Sequence, residues 1–579
     1  MTKKFYNKFS FLPDIIFPAL LIIYALLLVN QGINLSDVGY NYGNFYYFDR
    51  LDPMWKFSTF IPNFIGFLFT HLPGGDTLLG LNIYTSFVKA AIPIMVYFCC
   101  VKCFSMKRPV VFLAELMALG YCWCPTGVFY NYCTYLFFTA GGMLLALAVK
   151  YEKKYLYLLA GACLGMNVFV RLPNVVECLL ILSLWVYCIL EKIKFKDALI
   201  RTLLCIGGYF LGMLVIFIPI SIVYGPAEYI DSIIEMLSIT DEAQGYSIKQ
   251  MIRGDLLSFY MNFKWVLLAL IPALLGTLIY LIPGKNRFVM CIKRIVVCAI
   301  CLAIIMLFRK LHMFGFIFYA YDSIYYVGIF FLIIAGLMGL YVTFFTKKDP
   351  SLRMLAMIMG LIILISPLGS NNYLFSSENN LFLVTPFVFH CIYLLFRDFP
   401  KAIGKKKRIS LEPLKLTITI MTLFALFQGV MFGANFVFQD GIMGEKRTAV
   451  IEENDTLKYM HTTKENGELI RSVNDYINAN NLSGSDAIFY GDVPGLAFYM
   501  KLNPVLTSTW PDLASFSSAK FIKEMDAVNN ALSESGNKPL VILGYPIDYS
   551  TPKTDQLNAF LAENGYEENF RSGRITIYR

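Results

Sequence analysis

The chain has 579 residues, of which 57% are hydrophobic, 16% aromatic and only 15% charged, with a mean hydropathy of +0.59. That balance excludes a water-soluble globular domain and a disordered chain, and it points to a multi-span membrane protein. The net charge of +9 sits mainly in the links between apolar runs, where membrane insertion places it, so it is no signal of nucleic-acid binding.

Apolar runs predict spans near residues 11–29, 81–101, 109–122, 132–149, 155–170, 174–190, 198–223, 263–283, 295–308, 323–346, 354–368, 380–396 and 414–436, about thirteen in all. Crossing roughly 30 Å of hydrocarbon takes about 20 helical residues, and runs such as 109–122 and 295–308 fall short of it. With the N-terminus cytoplasmic, alternate links collect 27 Lys and Arg residues against 8 on the opposite side, so the positive-inside rule predicts that odd-numbered spans exit outward. The KAIGKKKR run at 401–408 is placed against anionic headgroups. The first run leads into NQGINLS without a small-residue cleavage pattern and reads as a retained signal anchor in the plasma membrane.

The first outer loop, residues 30–80, carries an early acid, Asp37, within LSDVGYNYGNF. It is rich in aromatics, Tyr40 among them, and is punctuated by Pro53, Pro62 and Pro73, which predicts short amphipathic helices lying in the membrane interface. A carboxylate there is costly unless it is solvated or used. Ser36 and Asp37 also suit a helix N-cap, so capping and catalysis are both open for Asp37. Further along, FVRLPN (169–174) brings Arg171 and Asn174 to the outer end of the fifth span. A guanidinium there offers phosphate oxygens a two-pronged fork, or snorkels to headgroups.

Three later outer loops hold further candidates. Residues 224–262, with Asp231, Glu235, Asp241, Glu242, Lys249 and Arg253, read as a mobile flap. RKLHMFGFIFYAYD (309–322) offers Arg309 and Lys310 as a second phosphate contact. PLGSNNYLFSSENN (367–380) is a polar turn whose Asn371, Asn372 and Glu378 suit sugar hydroxyls. Cys122, Cys124 and Cys133 cluster near one span end and read as buried thiols rather than a disulfide framework, and the four histidines show no ligand spacing. No D-x-D occurs, and the E-x-D spellings at Glu453/Asp455 and Glu524/Asp526 read as solvated surface.

From about residue 437 the chain turns polar, and helix and strand patterns alternate: GELIRSVNDYINANN helical, DAIFYG strand, a helix around 517–533, KPLVILGY strand, TDQLNAFLAENGY helix and RITIYR strand. That order predicts a small α/β domain at 437–579, beside a membrane domain at 1–436. It contains no G-x-G-x-x-G and no P-loop, so no nucleotide cofactor is implied. Gly491 and Asp492 follow a strand, where α/β domains often bind ligands, although a plain turn is the better account of them.

A span, an amphipathic outer loop with an early acid, many further spans and an outer α/β domain together resemble the C-type (GT-C fold) membrane glycosyltransferases, and in particular the protein O-mannosyltransferases and aminoarabinose transferases. The resemblance implies a polytopic α-helical fold and a polyprenyl-phosphate-linked sugar donor in the membrane lipids. The acceptor would be an extracytoplasmic glycan, lipid or protein, and no cofactor and no metal would be needed. It also implies that Asp37 is the base, although Val38 stands where the family has a second acid, and that Arg171 holds the donor phosphate. A transporter or flippase of lipid-linked saccharide, a polysaccharide polymerase or ligase, and an inactive scaffold are the alternatives to this glycosyltransferase.

Overall fold

The computed structural model describes residues 11–238, 248–284, 286–346, 349–369, 372–402, 410–547 and 549–579. By length and composition, eight helical stretches among the described residues are able to cross a membrane: Leu78–Cys103, Phe129–Tyr151, Leu172–Leu190, Phe195–Tyr224, Lys249–Leu281, Arg287–Lys310, Tyr325–Phe345 and Glu412–Gly433. The other five predicted spans fall on shorter helical or apolar stretches, Pro13–Ala25, Arg108–Tyr121, Lys154–Asn167, Pro350–Ile365 and Val384–Arg397. Thus the helices occur where the apolar runs predict them, while the count long enough to span is eight.

Small residues let the helices approach closely. Lys154–Asn167 lies along Phe195–Tyr224 through two small-xxx-small pairs, Gly161/Gly165 and Gly208/Gly212. A Cβ added at Gly161 or Gly165 would stand 1.9 Å from a carbonyl oxygen of the facing helix. Such backbone contact drives helix association where lipid removes the hydrophobic incentive. Gly120 and Gly429 make the same kind of contact between Arg108–Tyr121 and Glu412–Gly433.

Residues 30–77 form helices Asp37–Tyr46, Pro53–Ser58 and Phe60–Thr70 and a 3₁₀ turn, Phe48–Arg50. Much of their aromatic richness goes into packing. Tyr42, Phe45, Phe48 and Phe57 are fully buried, because this segment is pressed between the helical bundle and the C-terminal region, and only part of it, including Phe64 and Leu68, stays exposed. Tyr47 donates to the carbonyls of Ala497 (3.0 Å) and Leu502 (2.7 Å). Tyr499 donates to that of Asn34 (2.7 Å), and Gly495 N–H to that of Leu35 (2.8 Å). The buried carboxylate of Asp440 gathers this seam. It accepts from Ile33 N–H (3.0 Å), Asn466 (2.9 Å) and Thr462, and pairs with Arg447 at 3.0 Å.

The C-terminal region carries a two-stranded ladder, β1 (Arg447–Ala449) with β2 (Thr462–Thr463), and a five-stranded sheet. The sheet contains β3 (Asp486–Tyr490), β4 (Asn503–Pro504), β5 (Leu540–Leu543), β6 (Glu568–Ser572) and β7 (Ile575–Tyr578) in the order β4-β3-β5-β7-β6. β3 runs parallel to β4 and β5, and β7 antiparallel to β5 and β6. Alternation sends Ile488, Tyr490, Val541 and Leu543 to one face, packed with Phe521, Leu557 and Phe560 of the covering helices. Ala487, Phe489, Ile542, Ile575 and Ile577 face the other way, into the core that continues through the bundle.

Candidate functional site

Asp37 is the first residue of helix Asp37–Tyr46, yet it does not cap that helix. Asn34 does, accepting from Val38 N–H at 2.9 Å, while the Ser36 hydroxyl is turned to Gln439 (3.0 Å). The Asp37 carboxylate is half-buried and accepts no side-chain hydrogen bond from another residue among the described residues. Burial raises its pKa, and the nearby charge of Asp492 raises it further, against a smaller opposing effect of its own backbone amide.

Asp492 comes from the far end of the chain, in the turn after β3. Two glycines bring it near. A Cβ on Gly39 would stand 2.4 Å from Gly495 Cα, so helix Asp37–Tyr46 and helix Gly495–Tyr499 touch backbone to backbone. Asp492 pairs with Arg574 at 3.3 Å. Ser36, Tyr321, Asp440, Asp492 and Arg574 line one cavity of about 1040 Å³ at this seam.

A second cavity, about 200 Å³, is lined by Arg171, Asn174, Glu177, Asn372, Asn379 and Asn380 among others. Arg171 precedes the 3₁₀ stretch Leu172–Ile181 and donates through Nε to Asn174 Oδ1 at 3.0 Å. Asn174 in turn donates to the Thr134 hydroxyl (2.8 Å) and the Asn167 carbonyl (3.0 Å), and Asn167 donates to buried Glu177. These bonds lock the Asn174 amide and leave part of the guanidinium for a ligand. The Asn380 amide nitrogen, fully buried, has no partner among the described residues. Asn379 accepts from the N–H groups of Trp123 (2.8 Å) and Cys124 (3.2 Å). A ring contact links their walls: Tyr321 of the larger cavity packs edge-on against Trp123 at 5.2 Å, and the next residue, Cys124, lines the smaller.

Of the predicted residues, Arg171, Asn174 and Asn372 thus come together, and Asp37 stands at the neighbouring seam. Asn371 lies outside the described residues, as do Asp241 and Glu242 of the expected flap. Tyr40 packs edge-on against Trp510 at 5.7 Å and serves the contact with the C-terminal region. Glu378 lines neither cavity, its buried carboxylate standing against Gly328 in helix Tyr325–Phe345. Arg309 lies over the Phe316 ring, 4.8 Å from its centre, and like Lys310 it is exposed and away from both cavities. Thr134, Glu177, Asn379 and Asn380 escaped sequence reasoning. Only the doubled asparagine at the end of the 367–380 turn hinted at them. Among the described residues no group of three or more His, Cys, Asp or Glu assembles as a metal site.

No family model and no curated protein matches the chain. Solved structures similar to it include the archaeal oligosaccharyltransferase AglB from Archaeoglobus fulgidus in complex with an inhibitory peptide and a dolichol-phosphate, at 12% identity and a TM-score of 0.46, covering 99% of this chain and 74% of that one. The Archaeoglobus fulgidus oligosaccharyltransferase tethered to an acceptor peptide is similar at 12% identity and a TM-score of 0.45, over 100% of this chain and 74% of that one. The same enzyme with zinc and sulfate gives 12% and 0.46, over 91% and 68%.

Proposed function

We propose that the chain is a glycosyltransferase of the plasma membrane that moves a sugar from a polyprenyl-phosphate-linked donor to an extracytoplasmic acceptor. In this reading the N-terminus is cytoplasmic and the seam between residues 30–77 and the C-terminal region faces outward. The observation that carries it is the placement of Asp37: a half-buried carboxylate with a raised pKa, held by no other side chain among the described residues, beside a large cavity and one ring contact from an arginine-and-amide pocket.

Each part has a chemical task. Arg171, fixed by Asn174, presents a fork to the donor phosphate and stabilises the charge that develops on it as the glycosidic bond breaks. Asn174, Asn372, Asn379 and Asn380 surround the sugar hydroxyls. The acceptor enters through the larger cavity, its hydroxyl proton passes to Asp37, and its oxygen attacks the anomeric carbon from the face opposite the departing lipid phosphate. The product is inverted. A raised pKa suits Asp37 to this work, because a base is most effective when its pKa lies nearer the working pH. The leaving phosphate needs no general acid, so one carboxylate suffices.

The test is mass spectrometry of lipids retained by the purified protein, with Arg171→Ala prepared in parallel from the same membranes. Enrichment of a polyprenyl-phosphate sugar on the wild type, lost in the variant, is the expected result and identifies the sugar. Asp37→Asn should then keep the lipid and lose turnover by 10²–10⁴-fold, the usual share of a general base. Retention of bulk membrane lipid alone by both samples would sink this reading in favour of a transporter.

A further inference from the structure

Helix Leu78–Phe98 carries a lysine, Lys89, eleven residues from its start, about 16 Å along the axis. A charged residue near the middle of a spanning helix costs about 2.5–3.5 kcal/mol on insertion scales, and such residues face a protein interior and find a partner there. Lys89 faces the interior but has found no anion. Among the described residues it forms no ion pair and no hydrogen bond, and its ammonium lies over the Tyr132 ring, 5.4 Å from the centre.

Asn82, Ser86 and Lys89 follow one another at i, i+4 and i+7, a polar stripe on one face of an apolar helix. All three line a cavity of about 120 Å³ that also touches Gln31, Asn34 and Cys124. The Asn82 amide is already committed, accepting from the Tyr42 hydroxyl and donating to the Val29 carbonyl, each at 2.8 Å. The Ser86 hydroxyl is fully buried and has no partner among the described residues. The cavity therefore holds an unpaired cation and an unused hydroxyl one turn apart, a donor set that lacks its acceptor. An ammonium is a point charge whose donors radiate, which suits a tetrahedral oxyanion, whereas a planar carboxylate is better met by the guanidinium fork.

We propose that Lys89 and Ser86 form a phosphate subsite separate from the Arg171 cavity and reached from the 31–38 segment. Cys124 lines both cavities, so the two cationic sites flank one turn of chain. The subsite stands on its own geometry and does not require the sugar-transfer reading.

The experiment uses the full-length protein in detergent with inorganic phosphate and dodecyl phosphate as probes, titrated to equilibrium on the wild type, Lys89→Met, Ser86→Ala and Arg171→Ala. Lys89→Met should weaken inorganic phosphate at least tenfold and Ser86→Ala several-fold, while Arg171→Ala keeps a Lys89-dependent component. Competition between the two probes assigns the subsite to a lipid-borne phosphate, and binding of inorganic phosphate alone assigns it to the free ion. In the wild type, phosphate should also protect Lys89 from reductive methylation, read by peptide mass spectrometry, which needs no variant to fold. The proposal fails if Lys89→Met binds inorganic phosphate as the wild type does, if Arg171→Ala alone abolishes binding, or if Lys89 is not protected.

Discussion

The contact of Gly39 with Gly495 gives the sharpest test of how the C-terminal region is held over Asp37. In Gly39→Ala the new Cβ would stand 2.4 Å from Gly495 Cα and 3.1 Å from both Gly495 N and Asn34 O, all backbone atoms. Carbon atoms prefer about 3.5–4.0 Å, so the two helices must part by an ångström or more, with no rotamer to relieve them. Overpacking costs about 1–3 kcal/mol, and a backbone-on-backbone clash belongs at the upper end. Replacing glycine by alanine inside a helix returns about 1 kcal/mol, so a net loss near 2 kcal/mol is expected. Gly43, on the same helix, supplies the control, because a Cβ there meets nothing within 4 Å and Gly43→Ala should therefore stabilise. Hydrogen exchange of residues 491–500 reads the difference: about 30-fold faster in Gly39→Ala, since 1.4 kcal/mol is tenfold, and unchanged or slower in Gly43→Ala. The proposed sugar transfer should fall with the first variant and hold with the second, as a displacement of about 1 Å costs roughly 10²-fold. Equal exchange in the wild type and Gly39→Ala, or equal losses in the two variants, would refute the argument.

Because burial and Asp492 both raise the Asp37 pKa, turnover should drop on acidification at a pH above that expected of an ordinary carboxylate. Asp492→Asn removes the raising charge and should move that acid limb to lower pH in a pH–rate profile; an unmoved limb would exclude the coupling. The same raised pKa means that the fold favours protonated Asp37, a contribution present at low pH and lost as pH rises through the folded value. Asp37→Asn should accordingly raise the melting temperature at neutral pH, with the gain vanishing under acid conditions. Lys520 on helix Ser518–Ser535 pairs with Asp52 at 2.9 Å and Glu235 at 3.0 Å, tying the C-terminal region to two separate segments. These groups are partly exposed, so Lys520→Ala should weaken the docking by about 1–2 kcal/mol, seen as faster proteolysis at the seam and no change in helix content.

What the sequence alone determined rests on short-range regularities. Apolar runs placed the helices, and period-2 and period-3.6 patterns located β3, β5, β7 and the helices between them. β6 was missed because ENFRS is polar and half-exposed, held by pairing with β7 and by the Phe570 ring against Tyr476. The tertiary structure decided everything that depends on residues far apart in the chain. Nothing local shows that Asn34, not Ser36 or Asp37, caps the helix, since that choice follows from Gln439 claiming the Ser36 hydroxyl. The aromatics of 42–57 look interfacial in sequence, but where they pack is decided by distant partners: Tyr47 bonds to Ala497 and Leu502 some 450 residues later, and Phe57 meets Tyr224 and Tyr229 of the bundle. Glu378 and Arg309 line neither of the two cavities, because their own helices carry them elsewhere. The approach of Asp492 to Asp37, and the unpaired charge of Lys89, exist only once the chain has closed, for a pKa and an unmet hydrogen bond are set by burial and neighbours that no local pattern encodes.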